Sequence, residues 1–209
     1  MSTRLTKVDV KALLVRRDLE ALDRWARSAR NPQRILMSLV FEPDELDRWR
    51  AIEAYARVTA MVDDPEKVRA TIRRILWLMN DESGGLAWHG PEMIAEILVR
   101  VPDLLPEFAE LLPWYLREEP FERGTHYALY RLSTIDREVF RTSADELKSS
   151  LEDSDPATRA YAALALRTMG VDAIGEATIG QSDQGSFKIY DFDSGQLRDT
   201  TVARILQSE

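Results

Sequence analysis

The chain contains no cysteine, which excludes disulfide bonds, thiol nucleophiles and thiolate metal ligands. Histidine is scarce, because only His89 and His126 occur in 209 residues, and neither belongs to an H-E-x-x-H pattern. No P-loop, Rossmann glycine pattern or G-x-S-x-G turn is present. These absences favour a non-catalytic role with no cofactor and no metal ion, and a surface or packed imidazole is the simpler role for each histidine.

Long hydrophobic runs are also missing. Residues 75–79 form one of the longest apolar stretches, far below the roughly 20 residues that a membrane-spanning helix needs. The N-terminal sequence MSTRLTKVDVK contains no apolar stretch of the signal-peptide type. We therefore expect no membrane partner and a cytoplasmic location.

Acidic residues exceed basic ones, and the excess is unevenly distributed. Residues 1–80 hold 16 Lys and Arg against 12 Asp and Glu, whereas residues 81–209 hold 12 against 24. A pI near 5.0 disfavours tight nucleic-acid binding, which requires many neutralised phosphates. An ordinary solvated surface is the simpler explanation of the asymmetry, and attraction of an acidic partner by the basic N-terminal third is the alternative.

Four similar helical segments are the main positive feature of the chain. They cover residues 47–58, 86–97, 121–132 and 158–169, and their starts are 39, 35 and 37 residues apart. A repeat of that length holds two helices and their turns. Because one helix pair cannot bury its own apolar face, the pattern predicts that successive pairs stack.

Proline, glycine and capping residues mark the joints between the predicted elements. The pattern predicts helical segments over residues 8–28, 32–40, 44–62, 65–80, 91–100, 104–118, 122–133, 144–151 and 157–169. Pro113 should kink the sixth of these. In the tail, residues 187–190 are a candidate strand, 193–195 a turn and 200–206 a short helix, so the tail is either a cap or a partner-binding extension.

The segment TRAYAALALRTMG, residues 158–170, resembles the second helix of a HEAT repeat. The matching positions are Arg159, Ala162, Ala165, Leu166, Met169 and Gly170, while Thr158 replaces the usual aliphatic residue. The wider set of similar bacterial proteins includes the short HEAT-like repeats of phycobilisome lyases. Residues 77–98, WLMNDESGGLAWHGPEMIAEIL, are similar to a block of uncharacterised bacterial HEAT-like proteins.

This resemblance, which covers roughly residues 30–170, implies an all-α, armadillo-like fold, a right-handed α–α superhelix of HEAT-like helix pairs. It would be one α-solenoid domain over residues 1–209, with a helical cap at 1–30, about four pairs at 31–170 and a C-terminal extension at 171–209. The second helices of such pairs line an inner surface that usually binds proteins. Lyase members handle a chromophore and a few DNA-repair members act on nucleic acid, but no catalytic residue of either group matches this chain.

Placing the second helices in register predicts a polar strip that crosses three neighbouring helices. The strip consists of Glu53 and Arg57, Glu92 and Glu96, and Tyr127 and Arg131. The simpler interpretation is a charge ladder that fixes how the helices stack. The alternative is a polar ligand groove, in which repulsion between Glu92 and Glu96 raises one carboxyl pKa and creates an acid/base pair.

The stretch NDESGG at residues 80–85 is the most unusual local sequence. Asn80, Asp81 and Glu82 are followed by two glycines and then by Trp88 and His89, which suits a recognition loop at one rim of the stack. A capped turn between two helices is the simpler alternative. The ligand spacing of a calcium-binding loop is missing.

The five tryptophans lie mostly at helical spacing among Leu and Ile, which is typical of core packing. Trp49 and Trp88 are exceptions, because both lie near the start of an inner helix, where exposed Trp beside Arg would form a binding hot spot. The sequence thus predicts a scaffold that binds another protein through its inner helix face. The predicted contact residues are Trp49, Asn80, Asp81, Glu82, Trp88, His89, Glu92, Glu96, Arg123, Tyr127 and Arg131.

The less favoured hypothesis is an enzyme, or a lyase-like enzyme-assembly factor, that uses a polar groove around Glu92 and Glu96. That hypothesis leaves room for a small-molecule ligand. The composition contains nothing that identifies the partner protein.

Overall fold

The computed structural model of the protein describes residues 5–81, 87–171 and 182–207. Within this part the chain is mostly helical, with one small antiparallel sheet near the C-terminus. The helices are α1 (Lys7–Arg16), α2 (Leu19–Ser28), α3 (Pro32–Val40), α4 (Glu45–Ala60), α5 (Pro65–Met79), α6 (Gly90–Arg100), α7 (Leu105–Phe108), α8 (Glu122–Ser133), α9 (Ala144–Ser149), α10 (Pro156–Thr168) and α11 (Val202–Gln207). The strands are β1 (Ser186–Asp191) and β2 (Gln196–Thr201).

Several helices begin where an Asx residue followed by proline predicts a start. The side chain of Asn31 accepts a hydrogen bond from the backbone N–H of Arg34, and Asp64 and Asp155 cap α5 and α10 in the same way. In each case proline occupies the first helical position, where its missing N–H costs nothing. The predicted helices at 32–40, 65–80 and 157–169 are therefore confirmed to within about a residue, and so is the helix at 122–133, which begins after Phe121 without a side-chain cap.

Two predicted helical segments differ from the structure. The region 8–28 is divided at Arg17, whose backbone is left-handed with φ of 52°, so that α1 ends and α2 begins anew. The segment 104–118 is not one kinked helix, because only α7 is α-helical and the 3-10 helices Pro102–Leu104 and Ala109–Tyr115 flank it. Pro113 has no N–H to donate, which favours the short 3-10 geometry over a continuous helix.

The second helices of the predicted pairs form a row. Helix α4 packs against α6, α6 against α8, and α8 against α10. Each also contacts the element before it, which is α3 for α4, α5 for α6, the 3-10 helix Ala109–Tyr115 for α8, and α9 for α10. The row buries aliphatic side chains such as Ile52, Ile94, Leu98, Leu129 and Leu166 almost completely. None of the helices within the described residues combines the length and apolarity that crossing a bilayer requires.

The C-terminal tail forms a β-hairpin that returns to the helices. Strands β1 and β2 pair with Tyr190 opposite Leu197, and the connecting turn contains Gly195 with φ of 63°. The candidate strand at 187–190 is confirmed and is longer by a residue at each end. The hairpin packs on α10 and α11, while Arg17 and Arg50 donate hydrogen bonds to carbonyl oxygens at its turn. The tail therefore contacts both ends of the helical row.

Candidate functional site

The hairpin covers the face on which the sequence places Trp49. The indole of Trp49 stacks on Tyr190, with 5.7 Å between ring centroids and 6° between planes, and its other contacts include Tyr127 at 5.0 Å in an edge arrangement. Trp49 is 8% exposed. The expectation that Trp49 is an exposed anchor is therefore wrong, because an element about 140 residues further along the chain covers it.

Polar contacts hold the hairpin on this face. The hydroxyl of Tyr190 donates a 2.5 Å hydrogen bond to Glu53, and Arg17 donates to the other oxygen of that carboxylate at 2.9 Å. Arg17 also donates to the carbonyl oxygens of Phe192 at 2.7 Å and Asp193 at 2.8 Å. The carboxylate of Glu53, placed on the polar strip by the sequence, therefore binds the hairpin and the end of α1.

Glu96 lies at the centre of the described polar strip and is fully buried. Its carboxylate accepts hydrogen bonds from Tyr127 at 2.7 Å, Arg131 at 2.8 Å and Arg100 at 2.6 Å. Burial alone would raise the pKa of Glu96, but the hydrogen bond and charge of Arg131 and the charge of Arg100 outweigh it, so the pKa is lowered. A carboxylate with these partners holds α6 against α8 and is poorly suited to exchanging protons with a substrate.

The charge ladder that the sequence predicts is only partly formed. Glu96 and Arg131 join α6 to α8 as expected, but Arg57 binds Asp23 of α2 through two hydrogen bonds of 2.7 Å. The phenyl ring of Phe192 lies 5.1 Å from the Arg131 guanidinium, in cation–π geometry. The strip is therefore divided between a helix–helix contact and a contact with the hairpin.

The carboxylate of Glu92 is closely packed between His89 of its own chain segment and helix α8. One carboxylate oxygen is 3.2 Å from Nδ1 of His89, and the other, Oε2, is buried without a hydrogen-bond partner among the described residues. Gly124 of α8 faces this oxygen so closely that a Cβ atom there would lie 2.4 Å from it. The absence of a side chain at Gly124 thus allows α8 to approach Glu92. The sequence predicts that repulsion between Glu92 and Glu96 raises the pKa of one of the two carboxyl groups. Glu96 is not that group, because its pKa is lowered.

Asn80 and Asp81 lie in a different place, at a groove of about 700 Å³ beside the end of α5. The amide nitrogen of Asn80 donates a 2.6 Å hydrogen bond to the hydroxyl of Tyr115. Trp114, which also lines the groove, is 80% exposed, and Leu111 is 42% exposed. The remaining lining residues are Leu76, Met79, Glu118, Glu119, Pro120 and Phe121. Glu82 lies outside the described residues.

The other predicted contact residues do not line this groove. Trp88 is 55% exposed, His89 immediately precedes α6, and Arg123 is 3.9 Å from Asp155. The predicted residues therefore do not form one surface, because Asn80 and Asp81 line this groove, whereas Trp49, Glu96, Tyr127 and Arg131 lie in the cluster that the hairpin covers.

Sequence reasoning missed Trp114 because it placed this residue among the tryptophans at helical spacing that are typical of core packing, and it did not single out Leu111. The usable signal was Pro113, since a proline inside the segment breaks the 3.6-residue period on which that assignment depends. The run Glu118–Glu119–Pro120 after it also indicates an exposed, acidic end.

Comparison with known proteins identifies a relative of this chain but no function. No family model matches the chain, and no solved structure matches it. It is similar to a protein of Archaeoglobus fulgidus that is described only as uncharacterised, with 30% identity over 139 residues, which are 66% of this chain and 74% of the relative. The chain therefore belongs to the same family as this archaeal protein.

Proposed function

We propose that the protein is a HEAT-like scaffold, a right-handed stack of helix pairs, that binds another protein. The repeat spacing and the row formed by α4, α6, α8 and α10 support the stacked arrangement. The saturated hydrogen bonding of Glu96 supports a structural over a catalytic use of the polar strip. The proposal therefore depends on finding an exposed surface suited to a partner.

The observation that carries the proposal is the exposure of Trp114 in the groove beside α5. Large apolar side chains that remain in water at a concave surface are typical of protein-binding sites, and Trp is the residue most enriched at binding hot spots. The helix face that includes Trp49 and Tyr127 is covered by the hairpin, which makes it less suitable. We therefore place the docking surface at the groove that contains Asn80, Asp81 and Trp114.

The charges of the groove indicate the chemistry of the partner. Asp81, Glu118 and Glu119 line it, and none of its described lining residues is Lys or Arg. An apolar side chain of the partner would fill the space beside Trp114 and Leu111, and flanking Lys or Arg would meet the acidic rim. The partner segment is thus apolar at its centre and basic at its ends.

Affinity capture with variant baits tests this surface. We expect Trp114→Ala to abolish recovery of a partner that the unchanged protein retains, because truncating a Trp anchor typically costs 2 kcal/mol or more, about 30-fold in affinity. Glu118→Lys combined with Glu119→Lys should also weaken binding and reduce its dependence on salt. Calorimetry with the purified partner gives the affinities.

Trp77→Ala is the matched control, because Trp77 is 63% exposed on α5 but does not line the groove. It should leave binding unchanged. If the partner is retained by the Trp114 and Glu118/Glu119 variants but lost on Trp88→Ala or Arg123→Ala, the docking surface lies at the start of α6 and α8 instead. Retention by all of these variants would remove the proposal.

A further inference from the structure

A second cleft, of about 1020 Å³, lies between α2 and α3 on one side and α4 and α5 on the other. None of its described lining residues is Asp or Glu. Five basic residues line it, and they are Arg27, Arg30, Arg34, Lys67 and Arg74. The groove at Trp114 has the opposite composition, so the two concave surfaces differ in charge.

The positive charge of the cleft is only partly compensated. Lys67 is 3.7 Å from Asp64 and Arg27 interacts electrostatically with Asp23, and both carboxylates lie outside the lining. Arg30, Arg34 and Arg74 make no ion pair with any residue that the structure describes. Arginines on a solvated surface often find a carboxylate, as Arg73 does at Glu107 with a distance of 2.8 Å. Clustered cations in a concave surface with low-dielectric walls raise the local concentration of anions.

The backbone adds to this field at the start of α3. Residues Asn31, Pro32, Gln33 and Arg34 all line the cleft, so the positive end of the α3 dipole faces the same space. The Asn31 side chain caps the N–H of Arg34, while its amide nitrogen has no hydrogen-bond partner among the described residues. Helix N-termini supplemented by arginine side chains are a recurrent way of holding phosphate groups.

The floor of the cleft is apolar. Tyr55 and Val58 are 2% and 3% exposed, and the other apolar lining residues include Met37, Val62 and Leu78. Burial of Tyr55 raises the pKa of its phenol to about 12, so the group is a neutral donor at physiological pH. A ligand that fills this space would therefore combine several negative charges with a flat or aliphatic body.

We propose that the cleft binds a small phosphorylated ligand with an apolar body, of the nucleotide class. Its volume is near the upper end of the range that such ligands occupy, roughly 300–1,000 Å³. A long nucleic acid fits less well, because the formal net charge of the chain is −8 and the acidic remainder would repel an extended polyanion. The site is separate from the protein-binding groove and does not depend on it.

Titration calorimetry with ATP, inorganic pyrophosphate and adenosine, without divalent cations, tests the proposal. We expect ATP to bind more tightly than pyrophosphate, and adenosine to bind most weakly. Arg34→Gln combined with Arg74→Gln should weaken ATP binding by about tenfold or more, because each change removes a charged donor. Both side chains are exposed, so the variant should fold, and thermal unfolding of the free protein checks this.

Arg73→Gln is the matched control, since Arg73 is exposed on the same helix but lies outside the cleft. It should leave ATP binding unchanged. Absence of ATP binding at millimolar concentration, or equal losses in the Arg73 variant, would overturn the site. Equal affinities for pyrophosphate and ATP would exclude the apolar body. Tighter binding of a fluorescent oligonucleotide, lost in the Arg34/Arg74 variant, would replace the small ligand by a nucleic acid.

Discussion

Glu96 shows at the level of a single residue how this protein uses buried charge. A carboxylate removed from water is strongly destabilising unless partners replace its hydration. Here two arginines and a tyrosine hydroxyl do so, and the lowered pKa of Glu96 reports that the ionised form is favoured in the folded state. The lowered pKa therefore means that the ionised carboxylate of Glu96 stabilises the folded state.

We predict that the contribution of Glu96 to stability is present at neutral pH and lost in acid. Since the folded-state pKa lies below the ordinary value of 4.5, the contribution is complete above that value and decreases as the pH falls through the folded pKa. Glu96→Gln should lower the free energy of unfolding by about 3 kcal/mol at pH 7, because it leaves two partly buried arginines without the counter-charge of a fully buried carboxylate. Urea unfolding from pH 7 to pH 3 should show the difference between the two proteins shrinking.

Glu118→Gln is the control for this measurement, since Glu118 is exposed and should alter stability by no more than about 0.5 kcal/mol at any pH. A difference between Glu96→Gln and the unchanged protein that is the same at pH 3 and pH 7 would contradict the assignment of the lowered pKa.

At the scale of the element, local signals in the sequence predict most helices, and non-local contacts explain the failures. Helix α3 was predictable because Asn31 and Pro32 fix its start within the segment itself. The burial of Trp49 could not be predicted from its own segment, since it depends on Tyr190, which is distant in the chain. Asn80 and Asp81 do line a groove, but its main apolar residue, Trp114, was hidden by an assumed helical period.

The tail was the hardest element to interpret. Its content of Gly, Ser and Asp is typical of loops, and only the run of residues 187–190 indicated a strand. Burial does not alternate strictly along β1, because Phe187 and Tyr190 are both buried although they are three residues apart, and Lys188 between them is exposed. The hairpin is thus held by a few aromatic side chains whose importance no local pattern reveals.

Tyr190→Ala should therefore undock the hairpin. It removes the stack on Trp49 and the hydrogen bond to Glu53, and truncation of a buried aromatic residue costs about 3–5 kcal/mol. Hydrogen exchange should show loss of protection at the β1 and β2 amides, and Trp fluorescence should shift as Trp49 enters water.

Lys188→Ala on the same strand is the comparison, because its side chain is exposed and its removal should change neither signal. Protection of the strand amides that survives Tyr190→Ala would mean that the hairpin is stable without its contact with α4.

At the scale of the whole molecule, the hairpin changes how we expect the row of helix pairs to unfold. In a linear array each repeat contacts only its neighbours, so stability is a sum of local terms and the ends can unfold separately. Here the turn of the hairpin accepts hydrogen bonds from Arg17 and Arg50, whereas β1 packs on α10. The described contacts thus join the N-terminal helices to the last helix of the row, and we expect the molecule to unfold as one cooperative unit.

Arg17→Met tests this coupling, because Arg17 links α1 to Glu53 and to two carbonyl oxygens at the hairpin turn. Met must adopt the same left-handed backbone, so the change removes side-chain contacts and leaves the backbone strain in place.

In the unchanged protein, the backbone amides of α1 and α10 should exchange with the same opening free energy. Arg17→Met should lower the opening free energy of α1 by about 2–3 kcal/mol more than that of α10. Arg16→Met, at an exposed neighbour, should preserve the equality. Unequal free energies in the unchanged protein would mean that the two ends unfold independently, as in an open repeat array.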